Sequence, residues 1–225
     1  MKLPTMIATL LLIASVALAA ETIAPIDTEA AYTRVITQRA EKIVATLNLA
    51  DSNQLARVRE IITRQYRDLR AIHDVRDARI KAAKEKFAAD KTAANNAVQA
   101  IRDETKPSLD KLHGEYLARL AVELSPEQIE QVKDGMTYGV APLTYGVYLK
   151  MYPELTDEQK AHIKALLIEA RELAMDGSTS DEKHAIFGKY KGKINNYLSR
   201  AGYDAKKGEQ NLKRVGSPAS NSSTK

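Results

Sequence analysis

The sequence predicts an all-α fold: a long antiparallel helical hairpin packed with several shorter helices. Three observations carry this reading. Apolar residues recur at helical spacing through most of the chain and show no strand-like alternation. Ala, Glu, Lys, Arg and Leu dominate while Trp is absent and Phe occurs twice, a mix that favours long helices over sheets. A short phrase also stands three times before an apolar run: Leu124-Ser125-Pro126-Glu127-Gln128, Leu155-Thr156-Asp157-Glu158-Gln159 and a looser copy at Leu49-Ala50-Asp51-Ser52-Asn53-Gln54. A Ser, Thr or Asp at an N-cap accepts a bond from a free N–H of the first turn, and a Gln three residues on reaches back to the cap's own N–H. Pro126 occupies the first helical position, the one that tolerates it.

Taken in order, a first helix is expected from about Thr28 to Asn48, with Tyr32, Ile36, Ala40, Ile43 and Leu47 on one stripe. Asp51 should cap a second helix whose stripe, from Leu55 through Ile62, Tyr66 and Leu69 to Ile80, runs unbroken to about Phe87. Lys86 to Asn96 is weakly apolar and is read as the reversal. The returning helix carries Ile101, Leu112, Tyr116 and Leu120 up to Glu123, and Pro107 should kink or interrupt it. Two such helices joined by a short turn pair their stripes as an antiparallel hairpin. Ser125 then opens a helix to about Asp134, Pro142 to Met151 forms a short one, and Thr156 starts a strong one that stops at Gly177. Thr179 with Glu182 repeats the capping pattern for a last helix ending at Gly202. The polar tail lacks the apolar residues to offset ordering and is expected to be disordered. The implied organisation is a signal peptide over 1–19, one helical domain over 20–208 and a tail over 209–225.

The signal reading rests on Lys2, the apolar run Ile7 to Leu18 and the small-residue site Ala17-Leu18-Ala19. No later segment approaches a membrane span, so an exported protein, periplasmic or secreted, is expected. The absence of Cys removes disulfides and thiolate chemistry. Losing Lys2 with the signal leaves 33 of the 34 basic residues against 29 acidic ones, too small an excess to point to nucleic acid.

Two resemblances attach to particular residues. The Leu-Ser/Thr-x-x-Gln phrases resemble the motif of the periplasmic Spy/CpxP stress-chaperone group, small exported proteins in which a bent helical hairpin forms a cradle. Longer blocks cover nearly the whole mature chain: Tyr32-Thr33-Arg34-Val35-Ile36, Gln65-Tyr66-Arg67-Asp68-Leu69, the run Val132 to Gly139 and the run Phe187 to Leu198. These are similar to a family of exported bacterial proteins known as domain of unknown function 3826. That resemblance implies export, a single domain, no established activity and, in some members, genomic association with polysaccharide degradation.

Candidate chemistry gathers in two places. Four of the ten Tyr fall between Tyr138 and Tyr152, and Thr-Tyr-Gly occurs at Thr137 and again at Thr144. Tyr145 and its neighbours either form a surface that stacks a sugar or pack short helices together, with Tyr148 and Tyr152 the expected core members. The stretch His184 to Asn196 sets Lys189, Lys191 and Lys193 beside Tyr190, Asn195 and Asn196, which suits a carboxylate or polyhydroxyl ligand; it also reads as a solvated basic helix. This stretch with Asp134 and Tyr138 is the candidate site. His73 and Asp77, four apart, could share a metal or a proton, but they supply two ligands where zinc needs three or four, and Asp77 reads rather as an ordinary surface pair with Arg76 or Lys81. No metalloprotease, phosphate-loop or nucleophile-elbow pattern occurs, and no cofactor is implied. The expectation is a non-catalytic exported binding protein, chaperone-like towards polypeptide clients. The alternative is an accessory protein or enzyme of polysaccharide degradation that binds acidic oligosaccharides. A long hairpin with apolar edges also allows a homodimer.

Overall fold

The computed structural model describes residues 29–216, which form eight helices and, among the described residues, no strand. The segment read as a signal peptide (1–19), the expected first-helix start at Thr28 and the tail beyond 216 lie outside the described residues. α1 spans Glu29–Val44, α2 Ser52–Lys86, α3 Lys91–Glu123 and α4 Pro126–Met136. α5 spans Val140–Met151, α6 Asp157–Met175, α7 Ser180–Arg200 and α8 Ala205–Gly216.

α2 and α3 are the expected hairpin. Arg57 near the start of α2 pairs with Glu123 at the end of α3 (2.8 Å), while Arg79 pairs with Glu104 (2.5 Å), which fixes the antiparallel sense. At ~1.5 Å per residue each arm is roughly 50 Å long. The reversal is tighter than the sequence suggests, confined to Phe87–Asp90, because the Asp90 side chain accepts from Ala93 N and starts α3 at once (2.9 Å). Pro107 does not interrupt α3. It sits on the exposed face, where water can hydrate the carbonyl its missing N–H leaves free.

The two strict copies of the recurring phrase form complete capping boxes. Ser125 N donates to Gln128 Oε1 (3.0 Å) and Gln128 N to Ser125 Oγ (3.3 Å); Thr156 and Gln159 repeat this at 2.9 and 3.2 Å. The looser copy differs, as its spacing requires. Asp51 accepts from Asn53 N (2.8 Å), and Gln54 instead donates across the hairpin to the Glu123 carbonyl. At Thr179 the box is displaced by one residue, because Glu182 takes its second bond from Ser178 N (2.9 Å).

The described residues form two apolar cores. One joins α1, α2, α3 and α4 through Ile36, Ile62, Tyr116, Leu120 and Met136. The other joins α5, α6 and α7 through Tyr148, Tyr152, Ile163, Leu167, Phe187 and Ile194. α4 runs past Gly135, where a Cβ would stand 2.7 Å from Ile43, so this glycine lets α1 and α4 approach closely. α8 corrects the expectation of disorder from residue 209. Gly208 lies against the Tyr152 ring, and the buried Asn211 donates to the Met151 carbonyl (2.9 Å), tying this helix to the end of α5. Its average composition is polar, but its few apolar residues share one face, and Gly208 and Asn211 bring that helix against α5.

Candidate functional site

The expected site residues do not all meet. Asp134 pairs with the buried Arg171 (2.8 Å), which also bonds Glu130 and thereby ties α4 to α6. Tyr145 packs half-buried against the second core. Tyr190 is buried with its hydroxyl on Glu169 (2.5 Å), and the Lys193 amine lies over its ring. Lys189, Lys191, Asn195 and Asn196 are exposed along α7, and Asn195 Oδ1 accepts from the Tyr148 hydroxyl (2.7 Å). Only Tyr138 and His184 stack on one another, with ring centroids 5.7 Å apart.

Tyr138 marks the cavity that the fold does build. A pocket of about 210 Å³ opens between α1, α2 and the α6–α7 turn. α1 contributes Tyr32 and Arg39; one stripe of α2 contributes Tyr66, Arg70, His73 and Asp77. Tyr138 follows α4, Ser178 and Thr179 form the turn, and Lys183 comes from the first two turns of α7. Tyr138 adopts a left-handed backbone (φ 59°), rare and strained for a bulky residue, and Gly139 follows at 65°. None of Tyr145, Lys189, Tyr190, Lys191, Asn195 or Asn196 lines this cavity.

The pocket's acids are already paired. Asp74 meets Arg70 (3.4 Å) and Asp77 meets Arg76 (2.7 Å). Arg70 also meets Glu29 (3.2 Å) and lies over the Tyr32 ring at 4.2 Å, while the Tyr32 hydroxyl donates to the Tyr66 carbonyl (2.8 Å). Arg39 and Lys183, by contrast, have no carboxylate at ion-pair distance among the described residues. Lys183 is only 4% exposed; its amine donates to the Met136 carbonyl (3.0 Å), an orphan acceptor at the end of α4. Burial, helped by the Arg39 charge, brings this amine down to about 8.

His73 is 2% exposed. Its Nε2 lies 2.7 Å from the Asp176 carbonyl, which can only accept, so Nε2 carries the proton. Burial lowers its pKa, which keeps the ring neutral and leaves Nδ1 as a lone-pair acceptor without a partner. His73 and Asp77 therefore share no proton: His73 bonds the Asp176 carbonyl, while Asp77 forms the expected surface pair with Arg76 (2.7 Å). Burial also pushes the Tyr66 hydroxyl up to about 12, so it remains a neutral donor.

The sequence did offer a sign of these residues. Lys183 stands on the apolar stripe of α7 with Phe187, Tyr190 and Ile194, and His73 on the stripe of α2 with Tyr66 and Leu69. An ionisable group on a buried stripe is expensive and so marks a site or a pinning bond. Arg39 and Arg70 carry no such mark.

Fold and pocket together define an all-helical protein with a tyrosine-lined cleft between α1, α2 and the α6–α7 turn, in which Arg39 and Lys183 lack carboxylate partners among the described residues. The family model for a protein of unknown function (DUF3826) matches residues 33–215, and the chain belongs to that family. Tyr32 lies just outside the matched span, whereas Tyr66, Tyr138 and Lys183 fall inside it. No curated protein matches the chain.

Proposed function

We propose that this is an exported binding protein that seats a carboxylate-bearing ligand, the uronate end of an acidic oligosaccharide, in the cleft between α1, α2 and the α6–α7 turn. One observation carries the reading: two cations without carboxylate partners, Arg39 and Lys183, line a cavity whose own acids are already paired. An anion entering there gains charge-assisted bonds without competing with a protein carboxylate. Tyr32, Tyr66 and Tyr138 add flat apolar faces with polar rims, suited to a sugar ring. The association with polysaccharide degradation that the family likeness implies points the same way.

This moves the ligand surface from the His184–Asn196 stretch, with Asp134 and Tyr138, to the cleft, with Tyr138 common to both. The other expectation, capture of polypeptide clients, draws support from an open groove of about 590 Å³ on the outer hairpin. That groove mixes Arg76, Lys81, Lys84 and Arg102 with Asp77, Glu85 and Glu182, and so favours neither charge. Calorimetric titration with galacturonate and glucuronate oligomers, beside their neutral counterparts, tests the proposal. Binding is expected for the acidic series alone, and Arg39→Gln should weaken it about tenfold or more, as for one charge-assisted bond. Equal binding of neutral sugars, or an unaffected Arg39→Gln variant, would overturn it.

A further inference from the structure

We propose that the Lys183 side chain forms an imine with a small ligand bearing both a carbonyl and a carboxylate, such as a 2-oxo acid or the open-chain aldehyde of a uronic acid. The inference rests on the carboxylate seat proposed above and adds covalent chemistry to it.

Lys183 is the buried amine of this cavity, and its environment resembles no ordinary surface lysine. Most surface lysines here meet bulk water or a carboxylate, as Lys106 meets Asp110 (2.6 Å) and Lys160 meets Asp157 (3.1 Å). Lys183 instead has a backbone carbonyl as its acceptor, a tyrosine ring 5.9 Å away and the Arg39 charge in the same pocket. Desolvation and a neighbouring cation are the two physical means of making an amine nucleophilic near neutral pH. With its pKa near 8, roughly a tenth of the amine is uncharged at pH 7.

The step balances without a further reactant. The neutral amine adds its lone pair to the carbonyl carbon, forming the C–N bond, and the carbonyl oxygen takes up a proton. The resulting hydroxyl leaves as water with a second proton, giving a protonated imine. Counted from the ammonium form, one carbonyl compound is consumed and one water released; nothing is oxidised or reduced. The Lys183–Met136 bond has a place in this sequence, because a protonated imine keeps one N–H and that hydrogen can still reach the Met136 carbonyl. Arg39 holds the carboxylate while the carbonyl meets the amine.

Reductive trapping tests this on the full mature chain. The protein is incubated with pyruvate or galacturonate and sodium cyanoborohydride, and adducts are located by intact mass and peptide mapping. One adduct per chain, on Lys183, is expected, with its yield rising with pH up to about 8. Excess lactate, which has the carboxylate and lacks the carbonyl, should suppress it. Lys183→Arg keeps the cation and a donor for Met136 yet cannot form the imine, so it should fold, bind lactate and lose the adduct. Adducts scattered over exposed lysines, unchanged in Lys183→Arg, would overturn the imine. If lactate still binds in that case, the carboxylate seat stands by itself. Trapping at Lys183 that lactate does not suppress would uphold the amine chemistry and overturn the carboxylate seat.

Discussion

His113 shows how much one residue can commit to the joint between the hairpins. From α3 it reaches the Asp176 carboxylate (3.0 Å) and Glu172 (3.4 Å), and these bonds raise its pKa to about 9. A histidine whose pKa is higher folded than unfolded stabilises the fold fully below about 6.5, and that contribution is lost as pH rises through about 9. Urea midpoints should therefore fall between these limits, and His113→Gln should remove the fall. With the group partly exposed, the variant should lose about 1–2 kcal/mol at pH 6 and almost nothing at pH 10. A pH profile shared by both proteins would deny His113 this role. Lys183 gives a separate signal in binding. The protonated amine attracts a carboxylate, so affinity for a non-carbonyl acid should decline as pH rises through about 8. In Lys183→Arg, whose guanidinium does not titrate there, titrations should show no decline over the same range.

Among the elements, glycine separates two kinds of helix. Gly135 in α4 faces Ile43, and an added Cβ would fall 2.7 Å from a side chain that is 5% exposed and has no room to retreat. Gly146 in α5 meets nothing within 4 Å. Gly135→Ala gains up to ~1 kcal/mol of helix propensity but incurs ~1–3 kcal/mol of overpacking, so it should melt a few degrees lower. Gly146→Ala should melt unchanged or slightly higher. Reversed signs in the two melting curves would refute the close α1–α4 approach. The same elements show what the sequence could convey. Helix starts were legible because Ser125, Thr156 and Thr179 act through local bonds that spacing encodes. The site was only half legible: His73 and Lys183 stand out as ionisable groups on apolar stripes, but their partners, like that of Arg171, lie 103, 47 and 37 residues away, which no window along the chain can see. Tyr138 was legible as an aromatic beside a glycine, while its left-handed backbone required the fold. α8 was missed because its polar average hid the one-sided placing of its few apolar residues, and because Met151, which Asn211 bonds, lies 60 residues away.

At the scale of the molecule, the cleft exists because two hairpins are held edge to edge. α2 supplies one wall and the α6–α7 turn the other. His73 bonds the Asp176 carbonyl (2.7 Å), and Arg76 pairs with Glu182 (2.9 Å) across the same seam. A ligand seated on Arg39 from α1 and Lys183 from α7 adds a further tie between the halves, one absent from the unfolded chain. Binding only to the folded state stabilises it by about 2.7 kcal/mol at a hundredfold excess over Kd. For a chain of this size that corresponds to a rise in melting temperature of about 5–10 °C. The rise should appear with acidic oligosaccharides and vanish in Arg39→Gln, whose exposed side chain leaves the unliganded melting point unchanged. Amide exchange should slow most at Tyr138 and across Ser178–Lys183, where the ligand bridges the seam. A ligand that protects only the outer hairpin, near Lys81 and Lys84, would place its site in the open groove instead and displace the cleft as the seat of binding.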